Sequence, residues 1–301
     1  MEQPKTLQTI AQEKMSPGDP TTLNTNNSQV GYEKLDAKSP NHILNVIRAL
    51  KEKQSAKSIW FDFKLPSNGR AGYPDKIQLR ELTTEDEKTL IKEMFSSKDN
   101  AILNIVRKCA KFEHLPEFDF EQLAVFDQDF ILLELSAITF PGEKEIITTD
   151  TANHKISLKL NKEDLNLNVV PSDLEYPFKV HLGGSNLDWY LNFMTLKKVK
   201  EIDKSMKALS ADVFNRLLIS IAQTTEKVEM NGQSLQFDNF YEVVKLLDTL
   251  PTADLKKMID FYNDKTGTAY GYKLSKEYYC TECGKGGVLE LEPLSFFRVT
   301  L

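Results

Sequence analysis

Residues 119–142 read DFEQLAVFDQDFILLELSAITFPG. Leu123, Phe126, Phe130, Leu133 and Ala137 recur at spacings of three and four, the pattern of one helix face, and Pro141-Gly142 is a stop signal. The stretch predicts a long helix starting at about Asp119. It also holds the richest apolar run of the chain, Phe130-Ile131-Leu132-Leu133, continued after Glu134 by Leu135. That run is far short of the roughly 18 apolar residues that a membrane span needs, and Asp127, Asp129 and Glu134 flank or interrupt it. No segment is therefore expected to cross a bilayer.

Towards the N-terminus, a second helix is predicted from Asp99, with Ile102, Leu103, Ile105, Val106 and Cys109 as its apolar residues. Before it, Thr84 with Glu87 reads as a capping box at the head of a helix carrying Leu90, Ile91, Met94 and Phe95. Ile77–Leu82 alternates apolar and polar residues, and Ile59–Leu65 has the composition of a strand. The stretch between them, Pro66–Pro74, is turn chemistry, so the pair predicts a hairpin. Ser39-Pro40 is a capped helix start for Ile43, Leu44, Ile47 and Leu50. Residues 1–38 have few large apolar side chains and predict a disordered arm.

Towards the C-terminus the period changes to two. Glu145–Thr148 and Ile156–Leu160 predict strands joined by Asp150-Thr151-Ala152-Asn153-His154. Leu165–Val169, Pro177–Leu182 and Trp189–Phe193 follow as further strands. Helical spacing returns at Lys197. Ser210 caps one run, Asn231-Gly232 marks a tight turn, and Thr252 caps a later run. Trp60 and Trp189 lie in strand runs and are expected to fill cores. The fold class is α+β: helical N- and C-terminal sections around a β-hairpin and β-sheet insertion. The sections are a disordered arm (1–38), a hairpin plus helices (39–143), the β insertion (144–196), and a helical section with a Cys-x-x-Cys tail (197–301).

Composition narrows the function. With 41% hydrophobic residues among 301, a sizeable core can form. The net charge of −6 gives no general attraction to nucleic acid, and no basic stripe is evident. Lys197-Lys198-Val199-Lys200 reads as a solvated helix face. Glu2, Gln3, Pro4 and Lys5 stand where a signal peptide would be apolar. The chain has only three cysteines, Cys109, Cys280 and Cys283, which is no disulfide framework and fits synthesis in a reducing cytoplasm.

Catalytic signatures such as GxSxG, HExxH and the phosphate-binding P-loop are missing from the sequence. The four histidines are scattered and none stands in a signature with a nucleophile. No catalytic residue is assigned, and a non-enzymatic protein is expected. The sharpest local feature is Cys280-x-x-Cys283-Gly284. Two thiolates at this spacing can hold one metal from a tight turn, but a structural zinc needs four ligands. Three completions are open. Cys109 with His114 could close a set of three cysteines and one histidine. His154, at the tip of the predicted hairpin, could donate. Copies of the chain could also pool their pairs around zinc or an iron–sulfur cluster. The plain alternative is a turn that happens to carry two thiols. Redox chemistry is disfavoured because no thioredoxin-like βαβ pattern surrounds the pair. Finally, Phe296-Phe297 must be covered. Either this tail docks on its own domain or it inserts into a partner.

The order of these features resembles the baseplate hub subunit family of T-even-type contractile-tailed bacteriophages. The resemblance is carried by Phe63-Lys64-Leu65-Pro66-Ser67-Asn68-Gly69 with Tyr73, and by Ile77–Glu87. Further along it rests on the Asp127–Leu135 helix leading into a hairpin, on Asp173–Phe178, and on the terminal Cys-x-x-Cys-Gly with Phe296-Phe297. It covers roughly residues 58–301. Relatives often carry a Cys-x-x-Cys at the hairpin tip, where this chain has Thr151-Ala152-Asn153-His154. The resemblance implies a structural or assembly role in the tail baseplate, with other tail proteins and copies of the same chain as partners. It also implies assembly in the host cytoplasm and a place in the virion. A tail-assembly chaperone absent from the mature particle is the first alternative. An enzyme built on the Cys-x-x-Cys is the second.

Overall fold

A computed structural model describes residues 59–297, apart from 95–97, 113, 114, 116, 150–152, 210–212, 267 and 268. The predicted arm, the helix after Pro40, the Ser210 cap and His114 lie outside the described residues. Residues 57–301 form one compact unit. Among the described residues there are seven helices and thirteen short strands, an α+β fold.

The hairpin forms as predicted. Strands β1 (Trp60–Lys64) and β2 (Lys76–Arg80) pair antiparallel with Phe61 opposite Leu79 and Phe63 opposite Ile77. Helix α1 (Thr84–Met94) follows, capped one residue earlier than the sequence suggests. Asp86 N–H donates to the Thr83 hydroxyl oxygen, while Thr83 N–H donates to the Asp86 carboxylate. This reciprocal pair satisfies two N–H groups that a helix start leaves orphaned. The aspartate wins over Glu87 because Arg80 also donates to it at 2.9 Å. Burial alone would raise the pKa of Asp86, but the bonds from Arg80 and Thr83 hold it below the usual carboxylate range.

Helix α2 (Lys98–Cys109) runs into β3 (Ala110–Lys111), which adds a third strand beside β2. A 3-10 turn at Phe120–Gln122 precedes α3 (Val125–Thr139), so the predicted long helix breaks near its start. The break has a cause: Ala124 bridges Thr195, and Val125 N–H donates to Met194. Helix α3 is the centre of the molecule. Phe126 packs into a core with Trp189, Phe193 and Val228. Phe130, Ile131, Leu132 and Leu135 join a second core with Leu79 and Ile105. Leu133 enters a third with Ile146 and Leu160. A helix apolar all round belongs inside.

Strands β4 (Lys144–Thr149) and β5 (Lys155–Leu160) form a two-stranded hairpin. The predicted strand at 165–169 shrinks to β6 (Leu167–Asn168). Strands β7 (Phe178–Leu182) and β8 (Leu187–Leu191) begin the largest sheet. Helices α4 (Leu196–Leu209) and α5 (Val213–Thr224) lead to β9 (Thr225–Met230) and β10 (Gln233–Ser234). The sheet order is β10-β9-β8-β7, so half of this sheet comes from the section expected to be helical. Helices α6 (Phe240–Thr249) and α7 (Thr252–Lys265) cover it through Val243, Leu247 and Met258. Short β11 (Gly271–Tyr272) pairs with β6, and β12 (Ser275–Tyr279) with β13 (Gly286–Glu290) makes a last hairpin. Among the described residues no helix is long and apolar enough to cross a membrane.

One expectation needs correction. Trp189 is fully buried and donates from Nε1 to the Thr225 hydroxyl at 2.8 Å, but Trp60 is only half-buried on its outer strand. There Lys111 Nζ sits 4.3 Å from its ring, a cation–π contact that suits a surface indole. Phe296 and Phe297 were expected at a partner surface or docked at home. Both are buried, in the third and second cores respectively. Ser136 donates to the Phe296 carbonyl at 2.6 Å, so both rings are covered within their own unit.

Candidate metal centre

The loop between β12 and β13 is built by the Cys-x-x-Cys-Gly sequence itself. Gly284 N–H donates to the Cys280 carbonyl at 2.9 Å, and Cys280 N–H donates to Lys285 at 2.8 Å. Gly284 takes φ +71°, a left-handed conformation that glycine adopts without strain. The turn buries Cys280 and leaves Cys283 half-exposed, and neither is in a disulfide. The second component arrives from the β4–β5 hairpin. Asn153, also at positive φ, turns the chain into β5, and His154 stands just before that strand.

The two hairpin tips meet. His154 Nδ1 lies 3.7 Å from Cys280 Sγ. One donor atom from each of His154, Cys280 and Cys283 falls within 4.8 Å of the others. The other ring nitrogen, Nε2, lies 3.9 Å from the Glu282 carboxylate. The arrangement is two sulfurs and an imidazole nitrogen, with a carboxylate behind the imidazole. Such a set can ligate a borderline-soft divalent ion.

Of the sequence candidates, the structure thus brings together Cys280, Cys283 and His154. Cys109 goes elsewhere. It is fully buried in the second core against Asp86, where burial pushes its thiol up to about 12. It is a packing residue, not the third sulfur of this cluster. His114 lies outside the described residues. Sequence reasoning missed Glu282, although its place inside the Cys-x-x-Cys was a usable signal. It also missed Lys198. Burial lowers this lysine's pKa to about 8, against the opposing pull of Glu226. It lines a cleft with Tyr73, Tyr176 and Glu226 rather than a solvated face.

Residues 58–298 match the family described as T4 bacteriophage base plate protein. This chain belongs to that family. The match takes in all three cores and both hairpin tips, so the baseplate family's shared region is the whole described unit. No curated protein and no solved structure matches the chain.

Proposed function

We propose that this baseplate protein is a non-catalytic building part of the hub of a contractile tail, holding other tail proteins and further copies of itself. The observation that carries the reading is the family match across residues 58–298. Two features support it. Two buried carboxylates, Asp86 and Glu134, are spent on structural ties. Glu134, buried on α3, takes Lys162 Nζ at 2.8 Å and the Tyr272 hydroxyl at 2.7 Å, which ties three parts of the fold together. Large apolar side chains also stay exposed on the two tip-to-tip hairpins: Ile147 on β4, Tyr279 on β12 and Val288 on β13. In the β12–β13 register, Tyr279 and Val288 are diagonal neighbours on one face, a small sticky surface suited to a protein partner.

On this reading the chain is made and assembled in the host cytoplasm, stays in the virion and binds no nucleic acid. Deleting its gene from the phage should leave infected cells with filled heads and no sheathed tails, and a plasmid copy should restore them. Normal tails from the deletion phage would contradict the proposal. Native mass spectrometry of the purified chain reads self-association directly, with a closed oligomer as the expected species.

A further inference from the structure

We propose that His154, Cys280 and Cys283 bind one zinc ion, which clasps the tip of the β4–β5 hairpin to the tip of the β12–β13 hairpin. The first argument is geometric. Zinc bonds of about 2.3 Å to sulfur and 2.0–2.1 Å to imidazole make the sulfur–nitrogen edge of a tetrahedron roughly 3.6 Å. The Cys280 Sγ to His154 Nδ1 separation is already 3.7 Å. That edge already fits one ion, and the two edges to Cys283, within 4.8 Å, need to close by about 1 Å at most. The Cys-x-x-Cys turn presents both sulfurs from one side, and the histidine comes from a hairpin 126 residues away in sequence.

The second argument is the state of the imidazole. A ligating histidine usually gives its other ring N–H to a carboxylate, which fixes the tautomer and strengthens the ligand. Here Nδ1 faces the Cys280 sulfur, and Nε2 lies 3.9 Å from the exposed Glu282 carboxylate, long for a hydrogen bond but on the side that such a pairing would use. Binding releases the two thiol protons to solvent, and the thiolates and the neutral imidazole become the donors. The fourth vertex falls to water or to a donor outside these three residues.

The third argument is what the ion would do. An isolated two-stranded hairpin is marginally stable in water. The bases of both hairpins are held in the third core, through Ile146 and Leu160 on one side and Leu289 and Leu291 on the other. Their tips lie beyond it. A metal there replaces a missing core, and its binding energy becomes folding energy for the two tips. The exposed Ile147, Tyr279 and Val288 lie on the hairpins so fixed.

The test is titration of the reduced, metal-free full chain with cobalt(II), followed by displacement with zinc. The expected result is a thiolate-to-cobalt charge-transfer band that saturates at one ion per chain and disappears on adding zinc. Cys283→Ser, on a half-exposed turn, should weaken binding roughly tenfold or more, and His154→Ala likewise. Cys109→Ala should bind as the unaltered chain does. Absence of the band at stoichiometric cobalt overturns the site, and so does a Cys283→Ser chain that binds as tightly as the parent. Should the serine variant fail to fold, the parent spectrum decides by itself.

Discussion

Asp127 sits fully buried on α3, where one carboxylate oxygen accepts the Ser67 N–H at 2.9 Å and the other has no partner among the described residues. Burial raises its pKa to about 7, against the lowering effect of the Ser67 bonds. The folded chain thus holds this proton more tightly than the unfolded chain, where an aspartate titrates near about 3.9. Its contribution is fully present below about pH 4 and is lost as pH rises through about 7. Asp127→Asn should therefore flatten the urea midpoint across that window, while the parent's midpoint falls with rising pH; equal slopes would rule this out. In the sequence Asp127 looks like a charge flanking an apolar run. Its burial is set by residues 60 positions away and could not be read locally. The Thr83–Asp86 cap was nearly legible, displaced by one residue because Arg80 decides between two acids. Thr83→Ala should cost about 1 kcal/mol in thermal or chemical unfolding, the usual loss for a cap.

At the level of elements, the strongly periodic ones were legible: the first hairpin, α1, α2, most of α3, β4–β5 and the strands around Trp189. Each has a local pattern that tertiary contacts only reinforce. The four-stranded sheet was not legible, since β9 and β10 join β8 from across two helices and a short polar strand such as Gln233-Ser234 carries no signal. Strand β11 shows the same limit. Gly271, at φ +83°, packs so closely on α3 that a Cβ would lie 2.8 Å from Phe126 Cβ and 3.1 Å from its carbonyl oxygen. Gly271→Ala should destabilise by more than the gain of a usual glycine replacement, on the order of 1–3 kcal/mol, because both the backbone and its neighbour must move. A variant as stable as the parent would mean that β11 sits further from α3. The docked tail gives a third expectation. Phe296→Ala removes a ring buried between α3 and the β4–β5 hairpin and should cost roughly 3–5 kcal/mol. Hydrogen exchange should then speed up at the β4–β5 and β12–β13 hairpins before it does in the four-stranded sheet.

For the whole molecule, the sequence and the structure agree on class, and the family match bears out the resemblance as far as a T4-type baseplate protein. The predicted boundaries at 143 and 196 do not separate cores: Phe126, Trp189 and Met258, from three sections, share one. The candidate metal site was half legible. The Cys-x-x-Cys announced itself and His154 stood among several candidate ligands. Only the meeting of two hairpin tips chose it over Cys109, and no local pattern encodes that meeting. A part built this way, with buried charges used as ties and apolar side chains left on projecting hairpins, suits a role in assembly. The central claim is that the chain is a resident part of the baseplate hub. The most direct test is quantitative mass spectrometry of baseplates purified from mature particles, with cryo-electron microscopy of the same sample. The account predicts the chain in fixed ratio to other hub proteins, with density for this fold near the tail axis. Its absence from mature particles, despite abundance in infected cells, would contradict the account and point to an assembly chaperone instead.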